Sequence, residues 1–135
     1  MTRQATLVVD ASAAAGWLLP DEEGRALEAL LGEAGDLAAP WLFWAELRNI
    51  LIVNERRGRI PPGLAEQAIE AVEALGLRLD AAPSGAAVLD LARRRGLTVY
   101  DALYLELALR AGARLATRDA ALAAAARAEG VTVVG

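Results

Sequence analysis

Four acidic residues stand apart by where they fall in the apolar pattern. Asp10 closes the run TLVVD, and Glu46 sits inside WLFWAELRNILIV. Asp101 opens an apolar helical stretch and Asp119 follows the next strand-like run, Ala113 to Thr117, within VYDALYLELALRAGARLATRD. Acids brought together repel one another, and a divalent cation removes that conflict. Mg²⁺ prefers oxygen ligands, keeps several waters and takes one or two direct carboxylates. Such an ion lowers the pKa of a bound water and stabilises charge on a phosphoryl group. Metal-assisted phosphodiester hydrolysis is therefore the chemistry these residues suit best.

The rest of the inventory points the same way. The 135 residues include no Cys and no His, and all 14 basic residues are Arg. Disulfides, thiolate catalysis and cysteine zinc sites are excluded, as are imidazole bases and lysine Schiff bases. Ser occurs only at positions 12 and 84. A hydrolase built from this chain must work with carboxylates and a hard cation.

Elements that could position the four acids follow from the hydrophobic pattern. Short apolar strands are expected at Thr6–Val9, Leu37–Ala39, Leu77–Leu79, Ala113–Ala116 and Val131–Val134. Helices are expected at Ser12–Leu19, Asp21–Ala34, Trp41–Arg57, Gly63–Leu75, Ser84–Arg95, Asp101–Ala111 and Asp119–Ala128. Strands separated by helices predict an α/β three-layer sandwich with a mainly parallel sheet. In such a sheet ligands bind beyond the carboxyl ends of the strands. Asp10 and Asp119 follow strands directly, and the helix begun by Asp101 runs back along the sheet, so all three converge on that edge.

Each aspartate also has a plainer reading, as the N-cap of the helix it precedes. Capping leaves unexplained why all three share one edge. Glu46 lies among Leu42, Phe43, Ile50 and Val53 on one helical face, where a carboxylate is costly unless it meets a cation or donors. Glu106 has Arg110 four residues later, and reads as a structural pair on a solvated face.

Length and composition predict a single domain, residues 1–135, with one core. The apolar content of 56% suits a helix-rich chain with a face buried by a partner. No apolar run approaches the roughly 18 residues of a membrane span. Asp10 interrupts what would be the apolar region of a signal peptide, so a cytoplasmic protein is expected. Net charge is −4, but Arg clusters occur at Arg56, Arg57 and Arg59 and at Arg93 to Arg95. These read either as helix C-termini complementing the dipole or as nucleic-acid contacts. Trp41, Phe43 and Trp44 hold half of the six aromatics, and are either core or an interface.

The motifs VVDASAA, AELRNIL, YDALYLELALRAG and LATRDAAL, in this order and spacing, resemble the PIN-domain ribonucleases, specifically the VapC-type toxins of toxin–antitoxin pairs. The resemblance spans nearly the whole chain. It implies a Mg²⁺- or Mn²⁺-dependent endoribonuclease with its acidic site at Asp10, Glu46, Asp101 and Asp119, supported by Ser12 and Thr117. It implies also a five-stranded parallel sheet, a homodimer, an RNA substrate and inhibition by a cognate antitoxin. Asp10, Asp101 and Asp119 would hold the metal, directly or through water, and Glu46 would orient or deprotonate the attacking water. Arg48 and Arg118 are candidate phosphate contacts. Two other functions fit less well. A phosphoryl-receiver or aspartate-nucleophile phosphatase lacks its lysine here and its D-x-D spacing, and a catalytically silent PIN-like binding module would keep only the partner surface.

Overall fold

A computed structural model describes residues 6–19 and 35–134. Its sheet is built from β1 (Thr6–Val9), β2 (Asp36–Pro40), β3 (Arg78–Asp80), β4 (Arg114–Ala116) and β5 (Val133–Val134). The described helices are α1 (Ala11–Leu18), α2 (Phe43–Arg56), α3 (Leu64–Glu73), α4 (Gly85–Arg95), α5 (Val99–Ala111) and α6 (Ala120–Ala128). The expected helix Asp21–Ala34 lies outside the described residues.

The five strands are all parallel, in the order β3-β2-β1-β4-β5. From β1 the chain moves outward through β2 to β3, then returns to the other side of β1 for β4 and β5. Right-handed crossovers in opposite directions place their helices on opposite faces. Thus α1, α2 and α3 cover one face while α4, α5 and α6 cover the other, and α1 packs on α2 as α4 packs on α5. The strand order reverses between β1 and β4, which is where parallel α/β sheets open a crevice for ligands.

β1 carries almost no polar side chain because both of its faces are covered: Leu7 and Val8 are fully buried. The central helix is α5. It packs against β1, β2 and β4 as well as α4 and α6, so residues Ala102 to Ala108 are buried without interruption. Two expectations change in consequence. Glu106 is 4% exposed rather than solvated. Its partner Arg110 does bind it, at 2.8 and 3.0 Å, and also clamps Asp80 at 2.6 and 3.2 Å. The guanidinium thereby ties α5 to the edge strand and compensates an interior carboxylate. Second, α5 starts earlier than expected: Thr98 is its N-cap, taking the Asp101 amide proton at 3.1 Å. Asp101 stands in the first turn and does not cap the helix.

The aromatic cluster divides. Phe43 is 3% exposed and belongs to the core, whereas Trp41 and Trp44 are 54% and 56% exposed. Arg48 lies over the Trp44 ring, 3.9 Å from its centre, and pairs with Glu73 at 3.6 Å. Arg94 and Arg95, in the last turn of α4, close on Glu129 at 2.7 and 2.6 Å and join α4 to the end of α6. Arg94 and Arg95 of that cluster are thus engaged within the fold. Arg56 likewise ends α2, where a cation meets the negative end of the helix dipole.

Candidate functional site

The register of β1 on β4 builds the site. Val9 pairs with Ala116, and the Asp10 amide donates to the Ala116 carbonyl at 3.0 Å. Asp10 and Thr117 are therefore neighbours just past the carboxyl ends of the two central strands. Asp10 caps α1 by accepting the Ala13 amide proton on Oδ1 at 2.8 Å. Asp119 caps α6 by accepting from Leu122 N at 2.8 Å. Both plain capping readings are thus realised, and both residues still stand at the shared edge, because the helices they cap begin there.

Asp10 is 5% exposed, and hydroxyls hold both of its oxygens. Ser12 Oγ donates to Oδ1 at 2.7 Å, and Thr117 Oγ1 donates to Oδ2. Each hydroxyl also accepts a backbone proton from the loop carrying Asp119. Ser12 Oγ takes that of Arg118 at 3.0 Å, and Thr117 Oγ1 that of Asp119 at 3.0 Å. Ser12 and Thr117 consequently fix the β4–α6 loop against the Asp10 carboxylate.

Glu46 arrives from the first turn of α2, which begins soon after β2 ends at the same edge. It accepts from the Tyr104 hydroxyl at 2.7 Å. The Tyr104 ring is 1% exposed. Tyr104 stands three residues after Asp101, one turn along α5 on the same side. Its role was hidden in the sequence, where an aromatic on an apolar helix reads as core; its partner is 58 positions away.

The electrostatics show that the four acids share one region. Burial pushes the Asp10 carboxyl above its usual range, against the pull of Thr117, Ala13 and Ser12, and the charge of Asp119 pushes it further up. Glu46 is raised by burial, opposed by Tyr104 and reinforced by Asp101 and Asp10. Asp101 is raised by burial, then by Asp119 and Asp10, with Thr98 opposing. Four helix N-termini meet here, and their partial positive charge offsets some of this repulsion without removing it.

Carboxylates, hydroxyls and main-chain groups make a hard-oxygen donor set suited to Mg²⁺ or Mn²⁺, and unsuited to softer metals. No three His, Cys, Asp or Glu side chains among the described residues are already arranged to hold an ion. A cation that keeps much of its water and bonds few carboxylates directly, as Mg²⁺ does, asks least of such a donor set. The two candidate phosphate contacts part company. Arg48 is engaged by Trp44 and Glu73. Arg118 belongs to the β4–α6 loop, and its side chain crosses α1 at Gly16: a β-carbon there would stand 2.7 Å from Arg118 Cδ.

Comparison with known proteins gives the following. The family model described as PIN domain matches residues 7–128. Ribonuclease VapC3 from Pyrobaculum aerophilum is 34% identical over 120 residues, spanning 87% of this chain and 92% of that protein. The crystal structure of PAE2754 from Pyrobaculum aerophilum superposes with a TM-score of 0.76 at 28% identity, covering 96% of this chain and 84% of the other. The crystal structure of FitAcB from Neisseria gonorrhoeae gives a TM-score of 0.65 at 20% identity, covering 96% of each chain, a likeness of fold.

Proposed function

The chain belongs to the PIN-domain family, in its VapC-type branch, and on that premise we propose that it is a divalent-metal-dependent endoribonuclease, the toxin of a toxin–antitoxin pair. The observation that carries the proposal is the gathering of Asp10, Glu46, Asp101 and Asp119 beyond the carboxyl ends of β1 and β4, close enough that Asp10 and Asp119 act on Asp101, and Asp101 and Asp10 on Glu46. An unrelieved cluster of this kind costs stability, and a bound cation turns that cost into affinity. The ribonuclease VapC3 relative supports the RNA substrate.

In this proposal Asp10, Asp101 and Asp119 hold the ion, directly or through water. What bound Mg²⁺ or Mn²⁺ would supply is a more acidic water and positive charge beside the phosphoryl oxygens. Ser12 and Thr117 keep the Asp10 carboxylate from rotating, as hydrogen-bonded outer partners do for metal ligands. Glu46 orients or deprotonates the water that attacks the scissile phosphate in line. Its raised pKa suits a proton acceptor, since a base works best when its pKa lies closer to the working pH. Tyr104 keeps Glu46 ionised and turned to the site.

A homodimer in the cytoplasm and a cognate antitoxin complete the proposal. The exposed indoles of Trp41 and Trp44 support a protein-binding surface, because aromatics are enriched at interfaces. No described helix is long and apolar enough to cross a membrane.

Total cellular RNA incubated with the purified protein and Mg²⁺ or Mn²⁺, with mapping of new ends, tests the reading. Discrete cuts are expected, absent with EDTA and absent in Asp10→Asn. Metal binding without any cut would instead indicate a binding module, and cuts that persist in Asp10→Asn would put the chemistry elsewhere.

A further inference from the structure

A cavity of about 480 Å³ opens beside the acidic cluster and shares two residues with it, Thr117 and Asp119. One wall is the α6 face formed by Ala120, Ala123 and Arg127, the other is Val133 and Val134 of the edge strand β5, and Arg118 of the β4–α6 loop lines it beside the acids. The volume lies within the range of small-ligand sites, roughly 300–1,000 Å³. The two alanines leave space where larger side chains would fill it. The valines offer an apolar surface. Arg127 is exposed and takes part in none of the ion pairs among the described residues. It stands eight residues from Asp119, roughly 12 Å along the helix axis. An acidic centre thus continues into a pocket with an apolar wall and a guanidinium at its far end.

Resting on the ribonuclease reading, we infer that this pocket is a subsite for a nucleotide neighbouring the cut, with Arg127 on its phosphate and Val133 and Val134 against its base or ribose. The combination matches one ligand class. A phosphodiester chain lying on the acidic cluster needs cationic relief on the flank, and a base or ribose can rest against the two valines. Arg127 is a positioning residue: it holds the strand in register and touches no reacting atom.

The test uses an RNA that the wild-type protein cuts, shortened one nucleotide at a time from each end. Arg127→Gln removes the charge and Ala123→Leu fills the space, both on an exposed or half-buried helix face where folding is retained. With the longer RNA, Arg127→Gln should raise KM about tenfold with kcat unchanged, as expected for losing a hydrogen bond to a charged group, and Ala123→Leu should raise KM by excluding the nucleotide. For RNA binding measured with Asp10→Asn as background, the slope of log K against log salt should flatten by about 0.7 in Arg127→Gln, one single-strand phosphate contact. With RNA trimmed past the subsite, all three proteins should perform alike. Equal KM and equal salt slopes on every length would overturn the subsite while leaving the ribonuclease reading intact. A loss in Arg127→Gln that persists on trimmed RNA would also overturn it, because the arginine would then be acting as a distant charge. Failure of the wild-type protein to bind or cut any RNA would remove the reading and the subsite together.

Discussion

Tyr104→Phe deletes one buried oxygen atom and leaves the ring in place. That oxygen donates to Glu46 at 2.7 Å. Burial and the adjacent carboxylate hold the phenol far above its usual pKa, so it stays a donor at every working pH. A hydrogen bond to an ionised acceptor contributes roughly 1.5–3 kcal/mol, and the partial exposure of Glu46 favours the lower end, about 1.5 kcal/mol. For a chain of 135 residues, about 1.5 kcal/mol corresponds to a melting midpoint lower by roughly 5 °C. The effect depends on pH in a definite direction. Tyr104 draws the Glu46 pKa down against burial, so its loss lets that pKa rise. The stability difference between wild type and variant should be complete above the raised Glu46 pKa. It should fade as pH falls through that value, where Glu46 takes up a proton and the charged acceptor disappears. Urea unfolding across a pH series measures this, and the acid limb of RNA cleavage should move to higher pH in the variant. Equal stability near pH 8 together with an unmoved acid limb would refute the reasoning.

Three further outcomes follow from the same geometry. Asp101→Asn should raise the melting temperature of the metal-free protein at neutral pH, because burial and the charges of Asp119 and Asp10 penalise the ionised form. That gain should vanish below the ordinary aspartate range, where both states are protonated, and be complete above the raised value. Mn²⁺ should raise the melting temperature of wild type by mass action and shift this variant less, a contrast readable by calorimetry. Thr117→Val keeps the shape but strips Asp10 Oδ2 of its donor, and should cost about 1–3 kcal/mol in urea unfolding and about 10- to 100-fold in cleavage rate. Arg110→Ala leaves the interior Glu106 carboxylate without its cation and should cost about 2 kcal/mol; adding Glu106→Gln should recover part of that loss, and an additive pair would contradict the coupling.

How much of this could be read from residues alone depended on the range of the cause. The sheet was legible because LVV in β1 and LA in β4 are short apolar runs closed by polar residues, the pattern of strands covered on both faces. Asp10 and Asp119 could be placed because strand direction alone sends them to the carboxyl edge. Ser84 and Gly96 bound α4 as capping chemistry predicts, the glycine in the left-handed conformation. Local pattern misleads where a distant segment decides the outcome. Glu106 carries every local sign of a surface pair, yet α5 is covered all round, and burial on every side leaves no amphipathic pattern to read. Thr98 caps α5 although Asp101, a favoured capping residue, stands three positions later. Trp41, Phe43 and Trp44 share composition but not direction: Phe43 faces the core while the two indoles face outward. The Tyr104–Glu46 bond joins α5 to α2 across the sheet edge, and no spacing rule contains it.

The central claim is that Asp10, Glu46, Asp101 and Asp119 act as one metal-dependent centre on RNA. Cleavage of a single RNA should be followed through one Mn²⁺ titration for the wild type and for Asp10→Asn, Glu46→Gln, Asp101→Asn and Asp119→Asn. Folded proteins are expected throughout, with a loss of at least about 100-fold in each variant and a weaker Mn²⁺ dependence for the three aspartate changes. A folded variant that cuts at the wild-type rate with the wild-type metal requirement would contradict the claim.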